Sequence, residues 1–269
     1  MDGKIPTISP EELYSLRGTA ASPLVVDVRP AEAFDTADWL IAGAIRQNPE
    51  YLTRWATASP SGRRAVFYCS HGHEISQGVV STFINTGVQA AYLSEGADGW
   101  RERHFPTRRK TETVTDKWVT REHPKIDRIA CPWLIRRFID PNAMFLYVPA
   151  AEVLTAAERT GAIPFDIDGV EYTHEGDRCS FDTILRKFGL EDSALDRLAM
   201  IVRGADTSRH DLAPQCGGLF AISLGLSANF PNDHDMLEHG MVVYDALFSW
   251  CRSLQAETHN WPAQPANAA

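Results

Sequence analysis

The feature that most constrains the fold is an apolar segment that leads into a cysteine and then into a helix pattern. Residues 65–68 have the apolar, aromatic-rich composition of a buried strand, and Cys69 follows directly. Residues 74–86 then have the pattern of a helix that ends at Gly87. A loop between a strand and a helix gathers free backbone N–H groups and the positive end of the helix dipole, so a thiolate there is stabilised and its pKa is lowered. The segment therefore predicts a reactive cysteine.

Strand and helix patterns alternate over the first hundred residues. Short apolar runs typical of strands occupy residues 24–28, 65–68 and 90–93, with the predicted helix between the last two. This order favours a parallel sheet flanked by helices, an α/β fold. Reactive groups in such sheets lie at the carboxyl ends of the strands, which is where Asp27 and Cys69 both fall.

The loop after Cys69 resembles the cysteine loop of the rhodanese family of sulfurtransferases, in which a glycine lies three residues after the cysteine and a helix begins. Here the glycine is Gly72 and the helix includes Ile75. Three further segments are similar to parts of the family. Residues 24–29 are similar to its early strand that ends in Asp-x-Arg, residues 42–44 to its Gly-Ala turn, and residues 96–106 to its closing segment. The resemblance covers about residues 5–108 and implies a rhodanese-like parallel sheet in residues 1–108.

The resemblance implies sulfane-sulfur transfer through a Cys69 persulfide, with a small-molecule sulfur donor such as thiosulfate or a persulfide, a thiol acceptor, and no required cofactor. The catalytic residue is then Cys69, and the substrate-binding residues are Ser70, His71, Gly72, His73, Glu74, Ile75, Asp27 and Arg29. Common rhodanese loops carry arginine or lysine, whereas only His71 and His73 can carry positive charge here and Glu74 opposes them. We therefore expect thiosulfate to be a poor donor.

A phosphatase or arsenate reductase uses a similar cysteine loop. That chemistry needs an arginine six residues after the cysteine, because the guanidinium binds the oxyanion through two hydrogen bonds. The corresponding residue here is Ile75. The sequence therefore disfavours this class of enzyme.

Length and charge indicate two domains of different character. The 269 residues suit two hydrophobic cores, and we predict a domain at 1–108, a linker at 109–115, a second domain at 116–255 and a disordered tail at 256–269. The first 110 residues carry 12 basic and 12 acidic side chains, whereas the remainder carries 14 and 23. An acidic second half repels a phosphate backbone, so we expect no nucleic-acid partner.

The cysteines and the hydropathy of the sequence indicate where in the cell the protein is expected. The five cysteines are odd in number and include no CxxC pair, which fits a reducing cytoplasm better than a disulfide framework. The sequence has no run of about 18 apolar residues and no apolar signal-peptide core at its start. We therefore expect a cytoplasmic protein without a membrane partner, while the oligomeric state stays open.

The second half predicts a mostly α-helical domain with a small β element. Ile129, Trp133 and Phe138 lie on one face of a predicted helix that tolerates Pro132 only near its first turn. Further helix patterns cover 194–202, 219–226 and 236–250, a strand is predicted at 144–148, and Asp168-Gly169 predicts a hairpin. Residues 127–140 and 174–182 resemble the C-terminal domain of chromate-resistance protein B, over about residues 116–252. That resemblance implies a link to chromate stress.

Histidine and carboxylate side chains recur in this second domain. His123 and Asp127 lie four residues apart, a spacing at which two side chains on a helix can bind one ion. His174 follows the predicted hairpin, where a loop can meet a helical Asp206. Imidazole with carboxylate suits zinc, iron or manganese, so we expect one divalent metal bound by His123, Asp127, His174 and Asp206. The alternative is that these side chains cap helices or lie at the surface.

Two functions fit these observations. The first is a sulfurtransferase of the rhodanese type that is associated with resistance to chromate or metal stress. The second is a redox or metal-stress sensor, in which the rhodanese-like domain signals to the C-terminal domain. An intact cysteine loop around Cys69 favours the first.

Overall fold

The computed structural model describes residues 5–52, 64–111 and 115–257. The strands are β1 (Thr7–Ile8), β2 (Leu24–Asp27), β3 (Trp39–Ile41), β4 (Ala44–Arg46), β5 (Ala65–Tyr68), β6 (Ala90–Leu93), β7 (Thr107–Arg109), β8 (Lys117–Arg121), β9 (Met144–Val148) and β10 (Ile163–Pro164). The α-helices are α1 (Pro10–Leu16), α2 (Ala31–Thr36), α3 (Glu74–Asn85), α4 (Gly96–Glu102), α5 (Asp127–Leu134), α6 (Val153–Thr160), α7 (Ser180–Phe188), α8 (Ser193–Asp206), α9 (Cys216–Asn229) and α10 (Asp233–Ser249). Short 3-10 turns occupy Pro49–Tyr51 and Ala150–Glu152, and π-helical segments occupy Ile135–Ile139 and Trp250–Leu254.

The first domain is built on a parallel sheet. Its strand order is β1-β6-β5-β2-β4, and each neighbouring pair is parallel. Alternate residues of β5 point to opposite faces, so Val66 packs in one core with Leu13 and Trp100, while Phe67 packs in the other with Phe83. Helices α1 and α4 therefore cover one face and α3 covers the other. The predicted parallel sheet flanked by helices is confirmed.

The N-terminal end of helix α3 lies beside the cysteine loop. The helix runs from Glu74 to Asn85, as its sequence pattern predicted. His73 is its N-cap residue, and the side chain of His73 makes no capping hydrogen bond. The first backbone N–H groups of the helix are therefore free to face the loop that follows β5.

The second domain packs helices around a three-stranded parallel sheet in the order β10-β8-β9. Its core contains the fully buried rings of Trp133, Phe138, Phe181 and Phe248. The predicted strand at 144–148 is confirmed by β9, and the three predicted helices correspond to α8, α9 and α10. A mostly helical domain with a small β element is thus confirmed.

Two local expectations for this domain are wrong. Pro132 lies inside α5 rather than in its first turn, and the helix changes to π-helical geometry from Ile135 onward. Proline has no backbone N–H, so it cannot donate the hydrogen bond that a residue in the interior of an α-helix normally makes. Interruptions of this kind accompany local changes from α-helical to π-helical hydrogen bonding. The Asp168-Gly169 turn forms no hairpin of regular strands, only an isolated bridge between Phe165 and Tyr172. Asp166 has a φ of 53°, which interrupts the extended backbone.

An arginine of the second domain binds the end of a helix in the first. The Arg252 guanidinium donates hydrogen bonds to the backbone oxygens of Tyr14 (3.0 Å), Ser15 (2.8 Å) and Arg17 (2.8 Å), where α1 ends. A cation at this position also stabilises the negative end of the helix dipole. Tyr14 donates a 2.6 Å hydrogen bond to Asp192, the N-cap residue of α8. The two domains are therefore joined by directional hydrogen bonds.

Residues 258–269 of the predicted tail and residues 112–114 of the predicted linker lie outside the described residues. None of the helices within the described ranges is both long and apolar enough to cross a membrane.

Replacing Arg252 by alanine should destabilise the protein by about 1–3 kcal/mol, because three backbone oxygens lose a charged donor. The measurement is the midpoint of denaturation by urea. Arg159→Ala is the matched control, since Arg159 is exposed on α6 and makes no hydrogen bond to residues 5–52 or 64–111. Equal midpoints for the two variants would show that the Arg252 contacts contribute nothing.

Candidate functional site

Cys69 lies at the carboxyl end of β5, at the base of an open cleft of about 650 Å³. The cysteine is only 5% exposed, and its Sγ lies 3.3 Å from the Oγ of Ser76 on α3. The Cys69 cleft is lined by Pro30, Ala33, Ser70, His71, His73, Glu74, Ile75 and Gln77. A recessed thiol therefore opens to solvent on one side.

Two glycines give the loop its shape. Gly72 has a φ of 74°, and a β-carbon there would lie 2.3 Å from the backbone oxygen of Ser94. Gly96 has a φ of 60°, and its β-carbon would lie 2.5 Å from the backbone oxygen of Cys69. Only glycine fits these positions without moving backbone atoms. The close approach lets the N–H of Ala97 donate a 2.9 Å hydrogen bond to the Cys69 carbonyl, which fixes the loop.

Hydrogen bonds favour the thiolate of Cys69. Burial by itself raises the pKa of the thiol, but the Ser76 hydroxyl and the backbone N–H groups of Ser76, His73 and His71 lower the pKa below its ordinary value. The Ser76 hydroxyl also lies 3.1 Å from the carbonyl oxygen of His73. Its single hydrogen can therefore point to that oxygen when Cys69 is a thiol and turn toward Sγ when Cys69 is a thiolate.

The structure brings most of the predicted substrate-binding residues to the Cys69 cleft. Ser70, His71, His73, Glu74 and Ile75 line it, while Gly72 turns the loop beneath it.

The two predicted residues from β2 lie elsewhere. Asp27 is fully buried, contrary to its predicted contact with substrate, because it accepts hydrogen bonds from the Arg29 guanidinium (2.6 and 2.9 Å) and the Tyr68 hydroxyl (2.9 Å). Arg29 lines a neighbouring cleft and remains paired with Asp27. Asp27 and Arg29 therefore pair with each other and are not among the residues that line the Cys69 cleft.

Sequence reasoning missed three polar groups at this site. Ser76 contacts the thiol, Gln77 lines the cleft, and Asp98 lies 2.7 Å from Nδ1 of His71. Ser76 lies in the first turn of the predicted helix, where a hydroxyl can reach a preceding loop. That signal was available in the sequence, whereas the approach of Asp98 depends on tertiary packing.

A second group of side chains, the aspartate–histidine cluster of Asp127, His174 and Asp206, lies in the C-terminal domain. Nε2 of His174 is 3.2 Å from Oδ2 of Asp206 and 3.6 Å from Oδ2 of Asp127. One potential ligand atom from each side chain lies within 4.8 Å of the other two. Asp127 begins α5, Asp206 ends α8 and His174 lies in the connection before α7, so separate elements converge as the sequence predicted.

The structure does not bring His123 into this cluster, and its predicted membership is wrong. The prediction treated His123 and Asp127 as residues of one helix, but α5 begins at Asp127. His123 lies in the preceding turn with a φ of 52°, and its backbone N–H donates a 3.2 Å hydrogen bond to Asp233. His123 and Asp127 therefore do not lie one turn apart on a single helix.

A further carboxylate, Asp166, adjoins the aspartate–histidine cluster. Its Oδ1 lies 3.6 Å from Nε2 of His174 and accepts a 2.7 Å hydrogen bond from Ser180. Its Oδ2 lies 3.1 Å from the guanidinium of Arg121 and 3.4 Å from that of Arg128. Asp166 is therefore held by two arginines, which no sequence pattern indicated.

The charges of the aspartate–histidine cluster affect one another strongly. Burial, together with the charges of Asp206 and Asp166, raises the pKa of the Asp127 carboxyl well above its usual range. Burial also acts to raise the pKa of Asp166, but hydrogen bonds with His174 and Ser180 and the two arginines bring it below the ordinary value. Hydrogen bonds with Asp166 and then Asp206 raise the pKa of His174 to about 10. The cluster thus places three carboxyl groups around one imidazole, and the ionisation of each group depends on the others.

Comparison with known families divides the chain into two parts. Residues 9–103 match the family model described as the rhodanese-like domain, and residues 118–251 match the one described as ChrB, C-terminal domain. Protein ChrB of Cupriavidus metallidurans is 38% identical over 158 residues, which are 58% of this chain and 47% of that protein. The chain therefore spans about half the length of this curated relative.

Several solved structures are similar to part of the chain. A rhodanese-related protein from Thermoplasma volcanium is 22% identical, with 38% of this chain and 96% of that chain covered and a TM-score of 0.34. A rhodanese-like domain protein from Staphylococcus aureus is 22% identical, with coverage of 35% and 90% and a TM-score of 0.32. A protein of unknown function from Rhodopseudomonas palustris CGA009, described as a possible tyrosine phosphatase, is 23% identical, with coverage of 38% and 83% and a TM-score of 0.34.

Ser76→Ala should raise the pKa of Cys69, because the thiolate loses a hydroxyl donor. The pKa is measured from the ultraviolet absorbance of the thiolate as pH is varied, and the thiolate fraction at neutral pH should fall. Ser81→Ala is the control, since Ser81 lies on the same helix and donates to the Gln77 carbonyl instead. A Cys69 pKa unchanged by Ser76→Ala would contradict the assigned role.

Proposed function

We propose that this chain, which joins a rhodanese-like domain to a ChrB C-terminal domain, transfers sulfane sulfur through a persulfide on Cys69. The observation that carries the proposal is the surroundings of Cys69 Sγ. The thiol ends β5, faces the free N–H groups at the start of α3, contacts Ser76 at 3.3 Å and opens to one cleft. These features favour a thiolate nucleophile that a small donor can reach.

The reaction consists of two displacements. The Cys69 thiolate attacks the outer sulfur of a donor such as thiosulfate, a new S–S bond forms, and the S–S bond of the donor breaks as sulfite leaves with the electron pair. An acceptor thiolate then attacks the outer sulfur of the persulfide, and the Cys69 thiolate leaves. No net oxidant, reductant or bound cofactor is needed.

The residues around Cys69 have distinct roles in this scheme. The Ser76 hydroxyl and the loop N–H groups stabilise the anionic sulfur of both the thiolate and the persulfide. His71 is oriented by Asp98 at the entrance, where it can contact donor or acceptor. Glu74 places a negative charge on the cleft wall, which opposes a dianionic donor.

The C-terminal domain supports an association with chromate or metal stress, as the resemblance to chromate-resistance protein B implies. The alternative function is a redox or metal-stress sensor, which is favoured by the direct hydrogen bonds between Arg252 and α1. A sensor would respond to modification of Cys69 without turnover. Sulfur transfer by the purified protein separates the two functions.

Cys69→Ser should abolish sulfur transfer, reducing its rate at least about a hundredfold, since a hydroxyl cannot carry sulfane sulfur. The assay measures thiocyanate from thiosulfate and cyanide, and mass spectrometry locates the added sulfur after incubation with donor alone. The control is Cys251→Ala, because Cys251 is buried in the second domain. Full activity in Cys69→Ser, or sulfur found on another cysteine, would refute the proposal.

Glu74→Arg should accelerate turnover of thiosulfate by roughly tenfold at low ionic strength, since a cation replaces an anion beside a dianionic donor. The measurement is kcat/KM for thiosulfate and for a neutral persulfide donor, and the latter should change little. Glu102→Arg provides the same charge change on the exposed surface of α4. Equal acceleration in both variants would mean that net charge alone, and not the cleft wall, controls donor binding.

A further inference from the structure

We propose that Asp127, His174 and Asp206 bind one divalent transition metal of the manganese, iron and zinc group, and that the bound ion keeps coordination positions open to solvent. This inference concerns the C-terminal domain and goes beyond sulfur transfer by Cys69.

The geometry of the aspartate–histidine cluster is the first support. Potential ligand atoms of the three residues lie within 4.8 Å of one another. Nε2 of His174 is 3.2 Å from Asp206 and 3.6 Å from Asp127, close enough for one ion about 2 Å from each ligand to lie between them. The three side chains come from the start of α5, the connection before α7 and the end of α8. Folding of the domain therefore assembles the site before an ion arrives.

A buried carboxylate oxygen is the second and independent support. Asp127 is 1% exposed, and its Oδ2 accepts hydrogen bonds from the N–H groups of Ser180 (2.6 Å) and Phe181 (3.4 Å). Its Oδ1 has no hydrogen-bond partner among residues 5–52, 64–111 and 115–257. A buried polar atom without a partner is destabilising, and the other oxygen of the same carboxylate, Oδ2, lies 3.6 Å from Nε2 of His174. A cation within the cluster satisfies this carboxylate.

The neighbouring charges define which residues are ligands. Asp166 already has two arginines and Ser180 as partners, so its charge is balanced without a metal. Asp127 and Asp206 have no arginine or lysine within ion-pair distance in the described structure. These two carboxylates are therefore free to neutralise a divalent cation.

The donor set determines the class of metal. One imidazole nitrogen and two carboxylate oxygens suit manganese, iron or zinc better than soft Cu(I), which prefers sulfur, or calcium and magnesium, which prefer oxygen alone. The side chains of His174 and Asp206 are 42% and 18% exposed, so solvent reaches the site. Three protein ligands on an exposed ion leave positions for water or a small anion, as in catalytic metal sites.

The test uses the full chain, without an affinity tag and stripped of metal by a chelator. Mn²⁺ is titrated and the free ion is counted by electron paramagnetic resonance, and Zn²⁺ is followed by its effect on the melting temperature. We expect saturable binding of one Mn²⁺ per chain and a higher melting temperature with Zn²⁺, because an ion that binds only the folded state stabilises it.

Asp206→Asn and His174→Gln should each weaken Mn²⁺ binding by about a hundredfold or more and remove the Zn²⁺ effect. Both side chains are partly exposed, so these variants should fold, which circular dichroism and a cooperative melting transition without added metal verify. The control His234→Gln changes an exposed histidine of the same domain and should bind as wild type does.

Three results would overturn the proposal. They are saturable binding of neither ion, wild-type affinity in Asp206→Asn and His174→Gln, or equal loss of affinity in His234→Gln. Because Cys69 activity is measured separately, failure of the metal site is distinguishable from failure of the proposed sulfur transfer.

Discussion

A carboxylate buried in a protein interior must meet an opposite charge or enough hydrogen-bond donors, and the two domains meet this requirement differently. In the first domain, both oxygens of Asp27 accept hydrogen bonds, from Arg29 and from the Tyr68 hydroxyl. In the second domain, Asp127 has one oxygen without a partner among the described residues. The need to balance a buried carboxylate is thus met within the protein at Asp27, whereas at Asp127 we propose that a bound cation meets it.

Each of these carboxylates also joins the ends of separate elements. Asp27 ends β2 and binds the side chain of Tyr68, so it holds the residue directly before Cys69. Asp127 begins α5 and accepts hydrogen bonds from the first N–H groups of α7. Each candidate site therefore lies where buried polar contacts fix the ends of elements, and the rigidity of those contacts positions the reactive groups.

Local patterns predicted the strand and the helix on either side of the Cys69 loop, because these elements are consecutive in the chain. The convergence of Asp127, His174 and Asp206 was also predicted from residue chemistry. The exclusion of His123 depends on positive φ angles at His123 and Ile126, and the failed hairpin depends on one at Asp166. Such angles are uncommon outside glycine, and at a β-branched residue such as Ile126 they are outliers. The position of Asp166 beside His174 was not predicted, because Asp166 is held there by Arg121 and Arg128, which are distant in sequence. Composition and periodicity do not encode such long-range contacts.

The depth of Cys69 would make the resting thiol and the proposed persulfide unequal in their exposure to oxidants. At 5% exposure, the resting sulfur is shielded by the loop and by α3. In the proposed persulfide form, a second sulfur would lie about 2 Å from Sγ, toward the open side of the Cys69 cleft. Oxidants would therefore reach the outer sulfur of the persulfide before they reach Sγ of Cys69. In the proposed persulfide form, oxidation would occur first at the outer sulfur, and reduction of the remaining S–S bond by a thiol would release the Cys69 thiolate.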